Sequence, residues 1–339
     1  MPRRRPAYSL RVATSATETS ALARATEVFG AIADNVERVV QGKSDVIHLV
    51  VLCLVAEGHL LIEDVPGVGK TSLAKALATS LDCSWGRIQF TPDLLPSDVV
   101  GGTVWNRGTS AFEFRPGAVF ANLVLGDEIN RASPKTQSAL LECMEERQVT
   151  VDGATYALAP PFMVIATQNP IEHEGTYPLP ESQLDRFLMR VTVGYPARSA
   201  ELQILDTHGG EQPLDTLRPV ASADDVLALA EVARTVHVAP SLKAYLVDLA
   251  ETTRRHSALA LGMSPRATLG LQKVARARAA MAGRNYLIPD DIKAMATTVL
   301  SHRLALTPEA VMQGTTSAEV VEDVLRRVAV PTTARSSRA

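Results

Sequence analysis

The chain has 339 residues, a formal net charge of −3 and a sequence pI near 6.2. Its 46% hydrophobic and 21% charged residues exclude a wholly disordered or collagen-like chain, and the near-neutral charge gives no reason to expect nucleic acid as a partner. The longest apolar stretch, residues 49–56, falls far short of the roughly 20 residues that a membrane-spanning helix needs.

Both ends of the chain have the composition of disordered segments. Residues 1–20 begin with MPRRR and lack the apolar core of a signal peptide, and residues 331–339 are mostly small, polar and basic. Between these ends we expect an α/β domain over residues 21–194 and a helical domain over residues 195–330.

The cysteines and histidines predict neither a disulfide framework nor a zinc site. Cys53, Cys83 and Cys143 have no CxxC spacing and lie in apolar or helical patterns, which is typical of reduced, buried thiols in a cytoplasmic protein. The seven histidines show no ligand spacing.

Short apolar runs alternate with helical patterns in the first part of the chain. Runs of this kind, most of them too apolar for a half-exposed sheet, predict parallel strands with helices on both faces of the sheet. The predicted strands are His59–Glu63, Arg87–Phe90, Asn122–Leu125, Phe162–Ala166 and Phe187–Val193.

Two insertions interrupt this rhythm, and both are predicted to be hairpins. Residues 103–115 have aromatic and β-branched residues on either side of an Arg-Gly pair. Residues 149–158 turn at Asp152-Gly153, a dipeptide suited to a type I′ turn.

After Tyr195-Pro196 the signals are helical alone. An apolar stripe of helical period consists of Leu242, Tyr245, Leu246, Leu249 and Ala250. Helix start signals are present at Ser222, Ser264 and Ser317.

An apolar strand, a Pro/Gly loop and a helix follow one another from His59. Gly67 and Gly69 would let successive backbone N–H groups converge on an anion at the start of the helix. Lys70 would reach the β- and γ-phosphates of a nucleotide, and the Thr71 hydroxyl would bind Mg²⁺. Asp64 stands where the usual pattern has a glycine, which weakens the match but leaves the strand-loop-helix context intact.

Residues 122–128 form an apolar strand that ends in two adjacent carboxylates. Asp127 suits Mg²⁺ binding, and Glu128 could act as the general base on an attacking water. Such an ending is a weak signal by itself, because many strands end in solvated acids. Downstream of a phosphate loop, it predicts a site that hydrolyses a nucleotide.

The strand that begins at Phe162 ends in polar residues rather than charge. The Asn169 amide could orient a water near the γ-phosphate, or it could form an Asn-Pro turn. The residues alone favour neither role.

Five segments, in this order, resemble the MoxR family of AAA+ ATPases, and the likeness covers about residues 25–330. They are DVPGVGKT (64–71), GDEINRASPKTQSALLE (126–142), ATQNP (166–170), LDRF (184–187) and SPRA (264–267). The resemblance implies an AAA+ parallel sheet with a C-terminal helical lid, and it implies that the two hairpins are family insertions.

The resemblance also implies roles for individual residues. Lys70 and Thr71 match the Walker A motif, Asp127 and Glu128 match the Walker B motif, and Asn169 matches sensor 1. The implied nucleotide contacts are Val40, Gln41 and Gly42 around adenine, and Pro66, Gly67, Val68, Gly69, Lys70, Thr71 and Ser72 in the loop.

Two arginines acquire roles only through this resemblance. It implies that Arg186 is an arginine finger and that Arg266 is a sensor 2 residue that touches the same phosphates from the lid; a guanidinium fork suits both roles. Arg131 is a second candidate for action between subunits, and the sequence does not rank it against Arg186. Glu145–Arg147 is expected to form a solvated helix face.

The resemblance implies a ring, usually a hexamer, that uses ATP and Mg²⁺ to remodel or activate a protein client, commonly one with a von Willebrand factor A domain. The alternative is a nucleic-acid-associated motor or transcriptional regulator on the same fold, which predicts a basic pore loop or a DNA-binding extension. A scaffold that binds nucleotide without turnover is disfavoured because Glu128 is present.

Overall fold

The computed structural model describes residues 16–65, 67–170, 175–207 and 213–331, with residues 16–19 and 203–207 described by their backbone alone. Pro66, the predicted arm up to residue 15 and the predicted tail from residue 332 lie outside the described residues. The first helix begins at Ala16 and therefore overlaps the predicted arm.

The α/β part begins with two helices and then alternates strands with helices. In chain order its elements are α1 (Ala16–Glu37), α2 (Ser44–Val55), β1 (Leu60–Glu63), α3 (Lys70–Ser80), β2 (Trp85–Gln89), α4 (Pro96–Val100), β3 (Gly101–Asn106), β4 (Ala111–Pro116), β5 (Leu123–Asp127), α5 (Pro134–Glu146), β6 (Gln148–Val151), β7 (Ala154–Ala157), β8 (Met163–Gln168), α6 (Glu181–Leu184) and β9 (Met189–Val191).

Within the described residues, a five-stranded parallel sheet has the order β2-β5-β8-β1-β9. The predicted fold class, a parallel sheet with helices and a helical lid, is confirmed. Because all five strands run the same way, the loops that follow β1, β5 and β8 meet at one edge, which we call the carboxyl edge. The opposite edge, where these strands begin, is the amino edge.

Both predicted hairpins are present, as β3–β4 and β6–β7. Asp152 and Gly153 have φ values of 50° and 81°, and a type I′ turn requires positive φ at both positions. Phe114 of the first hairpin stacks on Tyr156 of the second with ring centroids 4.0 Å apart, so the two insertions form one aromatic-linked unit.

The C-terminal part is helical with one small addition. Its elements are α7 (Arg198–Thr207), α8 (Ala223–Thr235), α9 (Pro240–Arg254), β10 (Leu259–Leu261), α10 (Pro265–Met281), α11 (Pro289–Leu300), β11 (Ala305–Leu306), α12 (Pro308–Met312) and α13 (Ser317–Arg327). The expectation of helices alone missed the antiparallel β10–β11 pair, because strands of two or three residues are too short to show alternation.

The helix signals predict most of these boundaries. The predicted stripe on α9 is buried throughout. Ser222 and Ser264 cap α8 and α10 through their side chains, whereas Thr316, and not Ser317, caps α13.

The apolar core lies on both faces of the sheet. On one face a cluster includes Phe90, Leu140 and Phe187. On the other face a larger cluster runs without interruption from α1–α3 and the strands into the helical domain, through residues such as Leu77 and Leu271. In the parts of the chain that the structure describes, no helix combines the length and apolar character needed to cross a bilayer.

Candidate active site

The loop between β1 and α3 has the backbone of an anion-binding turn. Gly67 and Gly69 have φ values of 84° and 88°, which residues other than glycine rarely adopt. A Cβ on either residue would project into open space. Helix α3 starts at Lys70, and no side chain in the described ranges caps its first turn, so its leading N–H groups are free to bind an anion.

Asp64 has a structural role that the sequence did not reveal. Its buried carboxylate accepts hydrogen bonds from Val65 N at 2.7 Å and from Gly194 N at 2.6 Å, and its backbone carbonyl accepts one from Lys70 Nζ at 2.9 Å. The residue that replaces the usual glycine therefore ties the loop to the chain segment after β9.

The acidic pair at the end of β5 faces this loop. Asp127 Oδ2 lies 3.5 Å from Thr71 Oγ1, so a carboxylate and a hydroxyl oxygen converge in the geometry from which a hard cation such as Mg²⁺ could be held. Thr167 Oγ1 donates to Asp127 Oδ1 at 2.8 Å and accepts from Glu128 N at 2.9 Å. One hydroxyl on the neighbouring strand thus orients the Asp127 carboxylate and fixes the backbone of Glu128.

Two residues of β2 also reach the acidic pair. Arg87 Nη2 lies 2.8 Å from Asp127 Oδ2, and Gln89 Nε2 donates to Glu128 Oε2 at 3.1 Å. Sequence reasoning missed Arg87, Gln89 and Thr167 because their proximity depends on the order of the strands, in which β5 lies between β2 and β8.

Glu128 occupies an uncommon backbone conformation, with φ 58° and ψ 51°. A non-glycine residue in this left-handed region is rare and frequently marks a functional site. Arg131 Nη1 lies 3.0 Å from Glu128 Oε2, so Arg131 pairs with the acidic residue of its own chain.

Asn169 and the predicted adenine segment complete the carboxyl edge. Asn169 is buried just after β8, and its carbonyl accepts from Asn130 Nδ2 at 3.4 Å. In the loop between α1 and α2, the buried Gln41 Oε1 has no hydrogen-bond partner among the described residues, which leaves an acceptor available for a donor such as the adenine amino group. Lys43 Nζ donates to Tyr195 O at 2.7 Å and connects this loop to the start of the helical domain.

Arg186 and Arg266 lie together, but not with the phosphate loop. Both guanidinium groups pair with Glu145 near the end of α5, the Arg186 Nε at 3.0 Å. The neighbouring Met144 carbonyl accepts from Nε2 of His59, the residue before β1, at 2.9 Å. These contacts place the two arginines at the amino edge, whereas Lys70 lies beyond the other end of β1. The expectation that Arg266 touches the same phosphates as Lys70 of its own chain is therefore not met.

Glu145 and Arg147 do more than form a solvated face. Hydrogen bonding to Arg266, together with Arg186, lowers the pKa of Glu145 below its usual value. Arg147 bonds the Glu57 carbonyl at 3.0 Å and pairs with the Glu57 carboxylate at 3.3 Å, which joins the end of α5 to the turn after α2. Single-sequence patterns cannot show such pairs because their partners are distant along the chain.

Comparison with known proteins identifies the family. The model for the ATPase family associated with various cellular activities (AAA) matches residues 59–189, and that for the AAA lid domain matches residues 251–324. Chaperone MoxR1 of Mycobacterium tuberculosis is 42% identical over 87% of this chain and 80% of its own length. The chain belongs to the MoxR family of AAA+ ATPases.

Further relatives extend this MoxR-type likeness over nearly the whole chain. Uncharacterized protein YeaC of Bacillus subtilis is 49% identical over 90% of this chain and 95% of its own. A candidate ATPase from Cytophaga hutchinsonii, known from a crystal structure, superposes with a TM-score of 0.87 at 38% identity and covers 93% of this chain and 98% of its own. The MoxR-type architecture is thus shared from the first helices to the lid.

Proposed function

We propose that the chain hydrolyses ATP with Mg²⁺ as a subunit of a ring, usually hexameric in this family, and uses the hydrolysis to remodel a protein client. The observation that supports this most is the division of the site. The phosphate loop and acidic pair lie at the carboxyl edge, while the arginines that would complete the site lie at the amino edge.

The carboxyl edge would bind the triphosphate. The N–H groups of Gly67–Thr71 and the Lys70 ammonium would surround the β- and γ-phosphates, and the oxygens of Thr71 and Asp127 would hold Mg²⁺. When bound, Mg²⁺ neutralises charge that develops on the phosphate oxygens.

Glu128 and Asn169 would position and activate the attacking water. Glu128 follows the strand that ends in Asp127, and the Thr167 hydroxyl fixes its backbone N–H. As general base it would take the proton of the water as the bond to phosphorus forms. Asn169 would hold the same water through its amide.

The arginines would act on the nucleotide of a neighbouring subunit. In one chain, β1 separates Lys70 from the cluster of Arg186, Arg266 and Glu145, so these groups cannot converge on a single phosphate without a large rearrangement. Between Arg131 and Arg186 we assign the finger to Arg186. Arg131 pairs with Glu128 of the acidic pair at the carboxyl edge of its own chain, whereas Arg186 lies at the amino edge, away from the phosphate loop of its own chain.

The client is inferred from the family. One relative is named Chaperone MoxR1, which supports a chaperone-like action on a protein, and the von Willebrand factor A type of partner is carried over from the resemblance. The free thiols of Cys53, Cys83 and Cys143 fit the cytoplasmic location that we propose.

Mixing of two inactive variants tests this division of the site. Arg186→Ala subunits keep the phosphate loop and lack the finger, whereas Lys70→Ala subunits keep the finger and lack the loop lysine. Arg186→Ala alone should lose roughly 10³-fold or more of its ATPase activity, and Lys70→Ala alone should bind ATP more weakly and hydrolyse it poorly. The mixture should regain ATPase activity at mixed interfaces. A mixture that stays as inactive as its components would show that Arg186 does not act between subunits.

A further inference from the structure

The turn that carries Arg186 belongs to the α/β domain, but the helical domain holds it. The carbonyl of Phe187 accepts hydrogen bonds from Arg303 Nη2 at 2.7 Å and from His302 Nε2 at 3.0 Å. Arg303 Nη2 also donates to the carbonyl of Asp185 at 3.2 Å. The backbone on both sides of Arg186 is thus fixed by two adjacent residues of the other domain.

Arg303 is a buried charge with only 4% of its side chain exposed. Its Nε lies 2.9 Å from Asp185 Oδ1, and its Nη1 donates to Val299 O at 3.0 Å. Burial lowers the pKa of Arg303 to about 10, which still leaves it charged at neutral pH. A buried ion pair is weak evidence for stability, because the cost of desolvation offsets the attraction. Its donors instead fix backbone positions.

The packing around Arg303 leaves room for it. A Cβ on Gly270 of α10 would lie 3.3 Å from Arg303 Nη1 and 3.1 Å from Leu188 Cδ1, both tighter than ordinary van der Waals contact, so the absence of a side chain at residue 270 eases the close approach of the helix. The guanidinium is therefore enclosed between α10 and the turn.

Asp185 also links the turn to the helix that carries Arg266. Ser264 Oγ donates to Asp185 Oδ2 at 3.3 Å and accepts from Ala267 N at 3.1 Å, so the hydroxyl that caps α10 contacts the finger-bearing turn. Asp185, which precedes Arg186, and Ser264, two residues before Arg266, thus contact each other through their side chains.

We infer that Arg303 is a positioning residue for the arginine finger. Its forked donors hold the backbone at Asp185 and Phe187, and the Arg186 side chain, 30% exposed, leaves this fixed turn to pair with Glu145 at the amino edge. The inference rests on the proposed function of Arg186 in trans. The ammonium of a lysine would retain the charge but not the fork that bonds two carbonyls.

Arg303→Met tests this role because it keeps much of the volume and removes every donor. We expect turnover to fall roughly 10- to 100-fold, since a displacement of about 1 Å can cost about 10²-fold, while the Kd for a fluorescent ATP analogue stays within about twofold. Arg303→Lys should show a smaller loss of turnover. Mixing Arg303→Met with Lys70→Ala subunits should restore activity, and mixing it with Arg186→Ala subunits should not.

Arg278→Met is the matched control. Arg278 pairs with the buried Asp291 in the same domain, 2.5 Å away, and makes none of the finger-turn contacts described here. The Arg278→Met variant should be less stable, but its turnover should stay within about twofold of that of the unaltered chain. This change is much smaller than the loss of turnover expected for Arg303→Met.

The outcomes separate a positioning role from a structural one. If Arg303→Met keeps turnover within twofold, or if both Arg303 variants lose nucleotide binding and are not rescued by Lys70→Ala subunits, the assignment is wrong. If Arg186→Ala also fails to be rescued by Lys70→Ala, the proposed trans finger fails and this inference fails with it.

Discussion

The two edges of the sheet are built in different ways. At the carboxyl edge, Thr71, Asp127, Glu128 and Thr167 contact one another within a single domain. At the amino edge, arginines from two domains meet on the half-exposed Glu145. The first set is preorganised for a ligand in its own chain, and the second is presented outward. In the proposed ring, these two edges of one chain would belong to different catalytic sites, each completed by a neighbouring subunit.

Loss of the base at the carboxyl edge should have the largest effect on turnover among the changes at that edge. Glu128→Gln removes proton abstraction but keeps a side chain of the same shape, so we expect kcat to fall by about 10²- to 10⁴-fold with ATP still bound. Steady-state hydrolysis and a binding titration with a fluorescent ATP analogue measure the two effects. Glu142→Gln, an exposed acid on α5, is the control and should leave kcat unchanged. A normal kcat in Glu128→Gln would contradict the catalytic assignment.

The affinity for ATP should distinguish the two edges, because only loss of the loop lysine should weaken binding. Lys70→Ala removes a charge-assisted contact worth about 1.5–3 kcal/mol, so the Kd for ATP should rise by roughly 10- to 150-fold. Arg186→Ala should leave the Kd of the isolated subunit unchanged, because Arg186 lies at the other edge. Calorimetric titration measures both values, and equal weakening in the two variants would break the distinction between the edges.

Low pH should reduce the free energy of unfolding through His59, a buried residue at the amino edge. Burial lowers its pKa to about 4 from the ordinary 6.5, so between these values the unfolded chain binds a proton that the folded chain does not. The stability from this group is fully present above pH 6.5 and falls by about 1.4 kcal/mol per pH unit as the pH drops through that window.

Urea unfolding at pH 7, 6 and 5 measures this dependence. His59→Gln has no titrating ring. Its free energy of unfolding should therefore fall less steeply with decreasing pH than that of the unaltered chain, and the difference in slope should approach the value for one proton, about 1.4 kcal/mol per pH unit. His302, whose pKa burial lowers to about 3, contributes to both proteins and cancels. Identical slopes would show that His59 titrates normally in the folded chain.

The ion pairs on Glu145 should have the smallest effect on stability. Glu145→Gln removes a carboxylate whose partners are 30% and 47% exposed, and surface pairs of this kind contribute below about 1 kcal/mol. The midpoint of urea unfolding for the isolated subunit should therefore shift only slightly. A loss of several kcal/mol in the free energy of unfolding would mean that Glu145 stabilises the contact between the domains, and that its role is not limited to binding the two arginines.

The sequence predicted what depends on local pattern. The strands, the turn at Asp152-Gly153 and the loop ending in Lys70 follow from apolar runs and glycine positions. Arg87 and Thr167 could not be predicted, because their contacts with Asp127 require the spatial order of strands that are distant along the chain. Glu145 was expected to be solvated for the same reason, since its partners lie 41 and 121 residues away.

The uninterrupted apolar core has a mechanical consequence. One cluster extends from Ile62 in the sheet to Val274 and Ile292 in the helical domain. Separation of the domains would therefore expose apolar surface to water, at a free-energy cost of roughly 25 cal/mol for each Å². We therefore expect the sheet and the helical domain of one chain to move together as a rigid body. In the proposed ring, movement upon ATP hydrolysis would then occur between neighbouring subunits rather than at a hinge within one chain.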